Sequence, residues 1–499
     1  MAIEGILSVL TSPTVLFWNF FGTLVGIIFG AIPGLSAVMA MVLFMPLSFG
    51  LPTTQAISLL LGLYVGGISG GMISAILLKI PGTASSMTTV FDGGPMADKG
   101  EAGKALGGGV LFSFIGGIIS AIFLVFLAKP LAKVAIMFGP FEYCSVALMS
   151  FTIIASLSGK SLVNGLLSGC LGVWISMIGT TAVGAEIRFT FGQRKLIAGV
   201  STVSLLLGMF AVAEVAAAVA KEMKDVKKAK YTMKGFGFSL KEFFKEIPNC
   251  LRSAIIGVVI GILPGLGGNT SSLFAYSMAQ NSSKHPERFG TGEFAGVVAS
   301  ETANNANTGG AMIPMLALGI PGNTPTALLI AALTVQGVNC GPLVFEKNGP
   351  LVYAIFAAFA LANIFMLFLE WRGLKLFVKV LDCPYEILYP IIIVMCMIGA
   401  FSDRNRVFEI MLVAVLGVLF FFLKRFGFVL APCVIGYILG PMFESNLGYA
   451  ISQSDGDLTQ FFKRPLSCTF LVLAIAMVAF VIYKNVKKQK NILADDEGN

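Results

Sequence analysis

The sequence predicts an all-α polytopic membrane protein made of two inverted repeats, whose broken or re-entrant helices meet at a central site. The prediction rests on composition, on long apolar windows and on a repeated cassette rich in glycine and proline. Of the 499 residues, 56% are hydrophobic and 12% are charged, and the mean hydropathy is +0.87. Soluble domains carry about 25% charged residues. A chain of this composition is expected in a membrane.

Long apolar windows recur along the whole chain. A helix needs ~20 apolar residues to cross a hydrocarbon core about 30 Å thick. Because proline and glycine interrupt several windows, we expect roughly 11–12 full crossings and read the remaining windows as re-entrant. The windows are 14–48, 55–80, 105–128, 134–156, 161–183, 196–220, 250–278, 296–320, 325–345, 350–370, 385–400, 407–423, 427–443 and 467–483.

Charge and cysteine content exclude several other classes of protein. The eight cysteines include no CxxC pair, so their spacing predicts neither a zinc site nor a disulfide framework, and we expect no cofactor. The net charge of +8 is explained by Lys and Arg in cytoplasmic loops rather than by nucleic-acid binding. The first ten residues lack the positive n-region of a signal peptide, so the first span is expected to direct its own insertion.

The distribution of basic residues predicts the topology. The Lys-rich linker 221–249 and the basic tail 484–490 are expected in the cytoplasm, whereas residues 1–13 contain no Lys or Arg, which favours a periplasmic N-terminus. We therefore divide the chain into a first membrane repeat (1–220), the linker, a second membrane repeat (250–445), and an extra C-terminal span with a cytoplasmic tail (446–499).

Two cassettes occur twice, in the same order. The segment 26-GIIFGAIPGLSAV-38 aligns with 257-GVVIGILPGLGGN-269, and 73-ISAILLKIPGTASS-86 aligns with 313-IPMLALGIPGNTPT-326. Each member of the second pair also has a Gly-Gly upstream. The order indicates an internal duplication, and an odd number of crossings in the first half would make it an inverted one.

The breaks predict a binding site. Broken helix is tolerated in lipid only inside protein or beside a water-filled cavity, because unpaired backbone groups are costly there. Half-helix N-termini suit anionic substrate groups, and the freed carbonyls suit Na⁺. We predict no catalytic residue and no metal centre apart from this possible Na⁺. The predicted substrate and ion site comprises Pro33, Gly34, Ser36, Lys79, Pro81, Gly82, Thr83, Ser85, Pro264, Gly265, Asn269, Thr270, Glu301, Asn304, Asn305, Pro321, Gly322, Asn323 and Thr324.

Several of these features have a simpler alternative. Glycines at a spacing of four, such as Gly22, Gly26 and Gly257, are typical of close helix packing. Lys79 could attract an anion or extend to the interface. Glu301 could bind a cation, relay a proton or cap a helix. The polar segment 92–104 is interpreted as a solvated loop.

Long motifs in both halves resemble one transporter family. They are 30-GAIPGL-35, 61-LGLYVGGISGG-71, 77-LLKIPGTASS-86 and 91-FDGGPMADKGEAGKALG-107, followed by 261-GILPGLGG-268, 284-KHPERFG-290, 301-ETANNA-306, 309-GGAMIPMLALGIPG-322 and 341-GPLVF-345. Over roughly residues 15 to 440, the sequence resembles the large membrane subunit of the tripartite tricarboxylate transporters. It departs from the family at Lys79, usually Asn, at Ser36, commonly Gly, and at Asn307-Thr308, typically Ala-rich.

The resemblance implies a bacterial inner-membrane importer of carboxylates, such as citrate or a related organic acid, driven by Na⁺ or H⁺. It also implies a small four-span membrane subunit and a periplasmic solute-binding protein as partners. Two other functions stay open at this stage. One is a channel-type anion pathway. The other is an intramembrane serine protease, because 67-GISG-70 matches a membrane nucleophile motif, although the chain's one histidine, His285, lies in a polar loop.

Overall fold

The computed structural model describes residues 1–157, 162–181, 183–220, 236–381 and 384–479. Most of the predicted linker and the basic tail 484–490 lie outside the described residues. The described part is mostly helical, with one antiparallel pair of two-residue strands, β1 (Gly179–Thr180) and β2 (Ile187–Arg188). This confirms the prediction of an all-α polytopic membrane protein.

The helices of the first half are α1 (Ala2–Leu10), α2 (Pro13–Ala31), α3 (Ala37–Phe49), α4 (Thr53–Leu77), a 3-10 turn (Ala84–Ser86), α5 (Met87–Asp98), α6 (Ala102–Ala135), α7 (Pro140–Leu157), α8 (Leu162–Ser176), a second 3-10 turn (Arg194–Leu196), α9 (Thr202–Leu206), a π-helical segment (Leu207–Val212) and α10 (Ala213–Val219). The predicted solvated loop 92–104 is wrong in part, because Asp92 is completely buried in α5.

The helices of the second half are α11 (Leu240–Ile262), α12 (Gly267–Asn281), a 3-10 turn (Pro286–Arg288), α13 (Phe294–Leu318), α14 (Thr324–Val335), α15 (Val344–Lys347), α16 (Gly349–Val380), α17 (Tyr385–Arg404), α18 (Val407–Arg425), α19 (Leu430–Gln453), α20 (Gln460–Lys463) and α21 (Pro465–Ala479).

The chain forms two compact units. Unit 1 contains Met1–Ile136 and Ser201–Phe422, and unit 2 contains Met137–Val200 and Leu423–Asn499. In unit 2, α19 packs on α7 and α8, and Arg188 bonds Glu444 at 2.5 Å. Unit 1 holds both copies of each cassette. The two units are defined by how densely their residues pack and not by sequence duplication. They therefore do not test the division into two repeats, a linker and a C-terminal extension, which stays a prediction.

Seven segments in the described part of the chain are long and apolar enough to cross a membrane, and shorter apolar helices accompany them. The helices α11 and α13, which carry the second copies of the cassettes, are not among the seven. The count of roughly 11–12 crossings stays a prediction. The seven segments are Pro13–Ala31, Thr53–Leu77, Ala102–Ala135, Thr202–Val219, Gly349–Val380, Glu386–Arg404 and Val407–Arg425.

The first glycine cassette brings α2 and α4 into backbone contact. A Cβ added at Gly22, Gly26 or Gly30 would lie 2.2, 2.6 and 2.3 Å from the carbonyl oxygens of Leu59, Leu63 and Gly67. The residue numbers of the contacting positions increase together on the two helices, so α2 and α4 run side by side in the same direction. Since α4 starts again near the beginning of α2, the intervening α3 must return antiparallel, and α2–α3 forms a helical hairpin with Pro33-Gly34 at its tip.

The second cassette repeats this arrangement. A Cβ at Gly257 would lie 2.5 Å from the Ala303 carbonyl oxygen, and one at Gly261 would lie 2.8 Å from that of Asn307. The helices α11 and α13 therefore run in the same direction, and α12 returns between them. Close packing thus accounts for the spacing of four residues between glycines in both cassettes, as the packing alternative predicted.

The backbone at the breaks is also duplicated. The hairpin tips have Gly34 at φ +89° and Gly265 at φ +84°. After α4 and α13, the aligned residues Lys79 and Gly319 both adopt the left-handed conformation, at φ +57° and +71°. The duplication predicted from the sequence therefore extends to individual dihedral angles.

Where the repeats meet, α4 and α13 have the contacts of antiparallel helices. Asn323 donates to Tyr64 of α4 and to Asn307 of α13, so these two residues lie at the same level. Asn304, one turn before Asn307 on α13, donates to Ile68, one turn after Tyr64 on α4. Moving back along one helix therefore means moving forward along the other. This direction is the one that inverted repeats require. The orientation of the repeats across a membrane stays a prediction.

Candidate functional site

Asn304, in the middle of α13, lies where broken helices of both repeats converge. Its Nδ2 donates to the Ile68 carbonyl at 3.5 Å. A Cβ added at Gly268, at the start of α12, would lie 2.6 Å from Asn304 Oδ1 and 3.0 Å from Ser85 Cβ. Asn304 Oδ1 is itself buried and has no hydrogen-bond partner among the described residues. An unpaired buried acceptor is expensive unless something donates to it.

Asn323 connects the second break to the first repeat. It caps α14 in a capping box, because its Oδ1 accepts from Thr326 N and its own N–H donates to Thr326 Oγ1, both at 3.0 Å. Its Nδ2 donates to the hydroxyl of Tyr64 at 2.7 Å and to Asn307 Oδ1 at 3.3 Å. One side chain thus fixes both a helix start and the contact between repeats.

The first break is held by hydroxyl groups. Thr83 N–H donates to Ser86 Oγ at 3.2 Å, and Thr83 Oγ1 lies 3.1 Å from Ser85 Oγ. At the tip of the first hairpin, Ser36 caps α3 by accepting from Met39 N at 3.1 Å. These side chains satisfy backbone donors that a break leaves unpaired.

The start of α12 differs from the starts of α3, of the 3-10 turn Ala84–Ser86 and of α14, which side chains cap. No side chain caps it, and its first residues are Gly267 and Gly268. Asn269 is exposed and Thr270 is half-buried. The preceding tip is anchored by a bond from Gly265 N to Gly322 O at 2.8 Å. Free N–H groups at a helix start, backed by roughly half a positive charge, suit an anion such as a carboxylate.

Glu301 lies deep inside α13 and is completely buried. Thr89 Oγ1 donates to its Oε1, and Ser113 Oγ donates to its Oε2 at 3.1 Å. The capping alternative is wrong, because α13 begins at Phe294 and Glu301 lies two turns further along. Asn305 faces α6 as well, where its Nδ2 donates to Ser113 Oγ at 2.7 Å. Glu301 and Asn305 are therefore held by hydroxyl groups of α5 and α6.

Lys79 lies apart from the group around Asn304. Its Nζ is 2.7 Å from Asp98 Oδ1, and about half of its side chain is exposed. Its left-handed backbone suits asparagine or glycine better than lysine. The residue is therefore an exposed partner of an acid on α5.

The structure brings together Ser85, Asn304, Asn323 and the second hairpin tip. Polar residues that were not predicted as part of the site lie around this group, namely Tyr64, Ser69, Thr89, Ser113, Asn307 and Glu370. Of these, Asn307 was noted in the sequence only as a departure from the family, and Glu370 lies beside the group, bonded to Ser69. Glu370 carried a signal, since it ends an apolar window and acidic residues within spans are functional candidates. The hydroxyl residues carried none, because serine and threonine are common in packed membrane helices.

Comparison with known proteins decides the family. The family model described as the tripartite tricarboxylate transporter TctA family matches residues 16–435. The chain belongs to the tripartite tricarboxylate transporter TctA family. Membership gives the chain a transport role within a tripartite transporter that has other subunits.

Similar proteins occur in Agrobacterium vitis. An uncharacterized 52.8 kDa protein in the TAR-I ttuC' 3' region is 34% identical over 480 residues, which cover 96% of this chain and 95% of that protein. An uncharacterized protein in the TAR-II ttuC' 3' region is 34% identical over 242 residues, covering 48% of this chain and 100% of that protein. No solved structure matches the chain.

Proposed function

We propose that this chain is the large membrane subunit of a secondary-active, cation-coupled importer of carboxylates. The substrate would be a tricarboxylate such as citrate or a related organic acid. A periplasmic binding protein delivers it, and a small four-span membrane subunit completes the complex. The chain lies in the bacterial inner membrane, with the linker and C-terminus in the cytoplasm and the N-terminus in the periplasm.

The observation that carries this proposal is the meeting of broken helices from both repeats at Asn304. The side chain of Asn304 donates to the carbonyl of Ile68 and, like Ser85, lies against Gly268 at the start of α12. Inverted-repeat transporters bind their substrates at such a place, where rocking of one repeat against the other exposes the site to each side in turn.

The chemistry around Asn304 favours a carboxylate held by neutral donors. The uncapped start of α12 offers N–H groups, and Ser85 offers a hydroxyl. Lys79, which immediately precedes the first break, is bonded to Asp98 instead. Binding without a fixed ion pair lets the substrate leave again, which transport requires.

Energy would come from a gradient of Na⁺ or H⁺. Freed carbonyls at the breaks suit Na⁺, and the buried Glu301 suits H⁺. The segment 159-GKS-161 does not complete a phosphate-binding loop, since Ile154 stands where the first glycine is needed.

The serine-protease alternative has less support. Ser69 of 67-GISG-70 donates to Glu370 Oε2 at 2.9 Å, and His285 contacts Glu287 at 3.2 Å in an exposed loop. A serine nucleophile needs a base that takes its proton, and a histidine in that loop does not serve Ser69.

The test is uptake of labelled mono-, di- and tricarboxylates by vesicles that contain this chain and its small partner. Uptake is measured with and without the binding protein, under imposed Na⁺ or H⁺ gradients. We expect uptake to need the binding protein and one of the gradients. No uptake of any carboxylate by folded protein would contradict the proposal, and uptake without saturable counterflow would favour a channel.

Substitutions at the site sharpen the test. Asn304→Ala and Asn323→Ala should each lower uptake at least tenfold while the protein stays in the membrane. Asn363→Ala is the matched control, because Asn363 is also buried but, among the described residues, its side-chain hydrogen bond stays within α16, to Phe359 O. Normal uptake by both site variants would refute the role assigned to these residues.

A further inference from the structure

Glu370 is a buried carboxyl group that the proposed substrate site does not use. It lies on α16, in a segment apolar enough to cross a membrane, and it is completely buried. Ser69 Oγ on α4 donates to its Oε2 at 2.9 Å. Its Oε1 is buried without a hydrogen-bond partner in the described part of the chain.

No positive charge compensates Glu370 in the described part of the chain. The ionisable group that interacts with it electrostatically is Glu301, which is also acidic. The neighbouring helices α2 and α4 contain no Asp, Glu, Lys, Arg or His. On the other elements packed against α16, the charged residues are Glu4, which pairs with Met1, Lys104, which pairs with Glu242, and Lys129, Lys133, Glu346 and Lys347. On α16 itself, Arg372 lies over the ring of Trp371, and Lys375 and Lys379 are exposed.

A second buried carboxyl group gives a direct contrast. Glu409 on α18 is also completely buried and also accepts from a serine, Ser204, at 2.8 Å. Unlike Glu370, it has a guanidinium group nearby, since Arg404 Nη1 lies 3.7 Å from its Oε1. Glu409 therefore has a positive charge beside it, whereas an ionised Glu370 would be an uncompensated buried charge, which proteins avoid by neutralising the group.

Glu370 is close to the candidate substrate site along the chain of contacts. Its partner Ser69 follows Ile68, whose carbonyl accepts from Asn304. Glu301 lies one turn before Asn304 on the same helix. A change of charge at Glu370 therefore acts on the segment of α4 that forms one wall of the site.

We propose that Glu370 carries the coupling proton of this transporter. In the conformation described here the carboxyl group holds the proton, and it releases the proton to water when α4 and α16 move apart, leaving a carboxylate. A metal cation fits less well, because a hard cation takes about six oxygen ligands and, among the described residues, Ser69 is the one polar side chain bonded to Glu370. The proposal rests on the proposed function and selects H⁺ over Na⁺.

The first test does not depend on transport. The infrared spectrum of the purified chain at neutral pH should contain the carbonyl stretch of a protonated carboxyl group, and the spectra of variants are subtracted from it. Glu370→Gln should reduce that band, and Glu409→Gln should leave it unchanged. Absence of the band in the unmodified protein, or an equal band in Glu370→Gln, would overturn the proposal even if the chain transports something other than carboxylates.

The second test uses the complete complex in proteoliposomes. Glu370→Gln should lose accumulation driven by a proton gradient at least tenfold, together with the accompanying change of internal pH, but should keep exchange of labelled for unlabelled substrate. Glu409→Gln should keep all three. Unchanged proton-driven accumulation in Glu370→Gln, or accumulation by the unmodified complex that needs Na⁺ and moves no protons, would overturn the proposal. If carboxylates are not transported at all, the proposed function fails, and the infrared result still decides whether Glu370 holds a proton.

Discussion

The break after α4 and the break after α13 are two solutions of one structural problem. In both, a helix ends in a left-handed residue, Pro-Gly follows, and a short polar sequence starts the next helix. Lys79 takes the left-handed position in the first break and Gly319 in the second. Thr83 with Ser86 caps the first new helical turn, and Asn323 with Thr326 caps the second.

The difference between the breaks is chemical rather than geometric. Both capping boxes satisfy the same backbone donors, but Asn323 also has an amide nitrogen that reaches Tyr64 and Asn307. The first break has only hydroxyl groups in the corresponding place. Duplication therefore preserves the backbone and its capping, whereas the part of the capping side chain that does not bond the backbone, the amide nitrogen of Asn323, differs between the breaks.

The largest expected effect comes from the close approach of backbones that both breaks share. A Cβ at Gly82 would lie 2.2 Å from Gly30 O, and a Cβ at Gly322 would lie 2.7 Å from Gly261 O. Gly82→Ala and Gly322→Ala should each destabilise the fold by about 1–3 kcal/mol, because backbone must shift, and Gly82→Ala should cost more.

Thermal unfolding in detergent measures this effect. Gly50→Ala is the matched control, because a Cβ at Gly50 would meet nothing within 4 Å. Midpoints for the two break variants equal to that of Gly50→Ala would show that the breaks do not depend on close backbone packing.

A smaller effect is expected at the left-handed residues. A left-handed side-chain residue costs about 1–2 kcal/mol. Gly319→Ala should therefore destabilise the protein by at least that amount, because the new Cβ would also lie 2.9 Å from the backbone oxygen of Cys340. Lys79→Gly relieves the strain but loses an exposed ion pair worth ~0–1 kcal/mol and adds chain entropy of about 0.5–1 kcal/mol. Its net effect should be below about 1 kcal/mol.

Denaturant unfolding of both variants would measure this difference. The comparison between breaks predicts opposite behaviour, a clear loss at position 319 and little change or a gain at 79. A loss at 79 as large as that at 319 would mean that the bond to Asp98 holds the first break together.

The smallest effect concerns how the equivalent helices α2 and α11 begin. Ser12 precedes α2 without a side-chain cap, whereas Ser239 and Glu242 form a capping box at α11. Hydrogen bonding by Lys104, followed by the Ser239 backbone N–H, lowers the pKa of Glu242, which lies ahead of the apolar part of α11, from 4.5 to about 2.

The sign of the pH dependence follows from that depressed pKa. The stabilisation by ionised Glu242 is fully present above pH 4.5 and is lost as pH falls through about 2. Glu242→Gln should therefore be less stable than the unmodified protein at pH 7, with the gap closing towards pH 2. Glu4→Gln, at an exposed site, is the control. A gap that is independent of pH would mean that the carboxylate charge contributes nothing.

The sequence was most informative where a residue acts on its own backbone. Pro33, Pro81, Pro264 and Pro321 predicted the breaks, because proline removes a donor wherever it stands. The glycine spacing predicted close packing for a similarly local reason. Lys79 and the segment 92–104 were harder, because a salt bridge to Asp98 and the burial of Asp92 depend on which elements pack together.

The sequence by itself determined that this protein is a helical membrane protein with duplicated breaks, because hydropathy and proline act locally. Only the tertiary structure decided which polar groups meet. Asn304 bonds Ile68 on α4 and lies against Gly268 of α12, whereas Asn305, one residue on, bonds Ser113 on α6. Adjacent positions on a helix point in directions about 100° apart. The packing of the helices therefore decides that the Asn304 amide lies in the candidate site and that the Asn305 amide bonds a neighbouring helix.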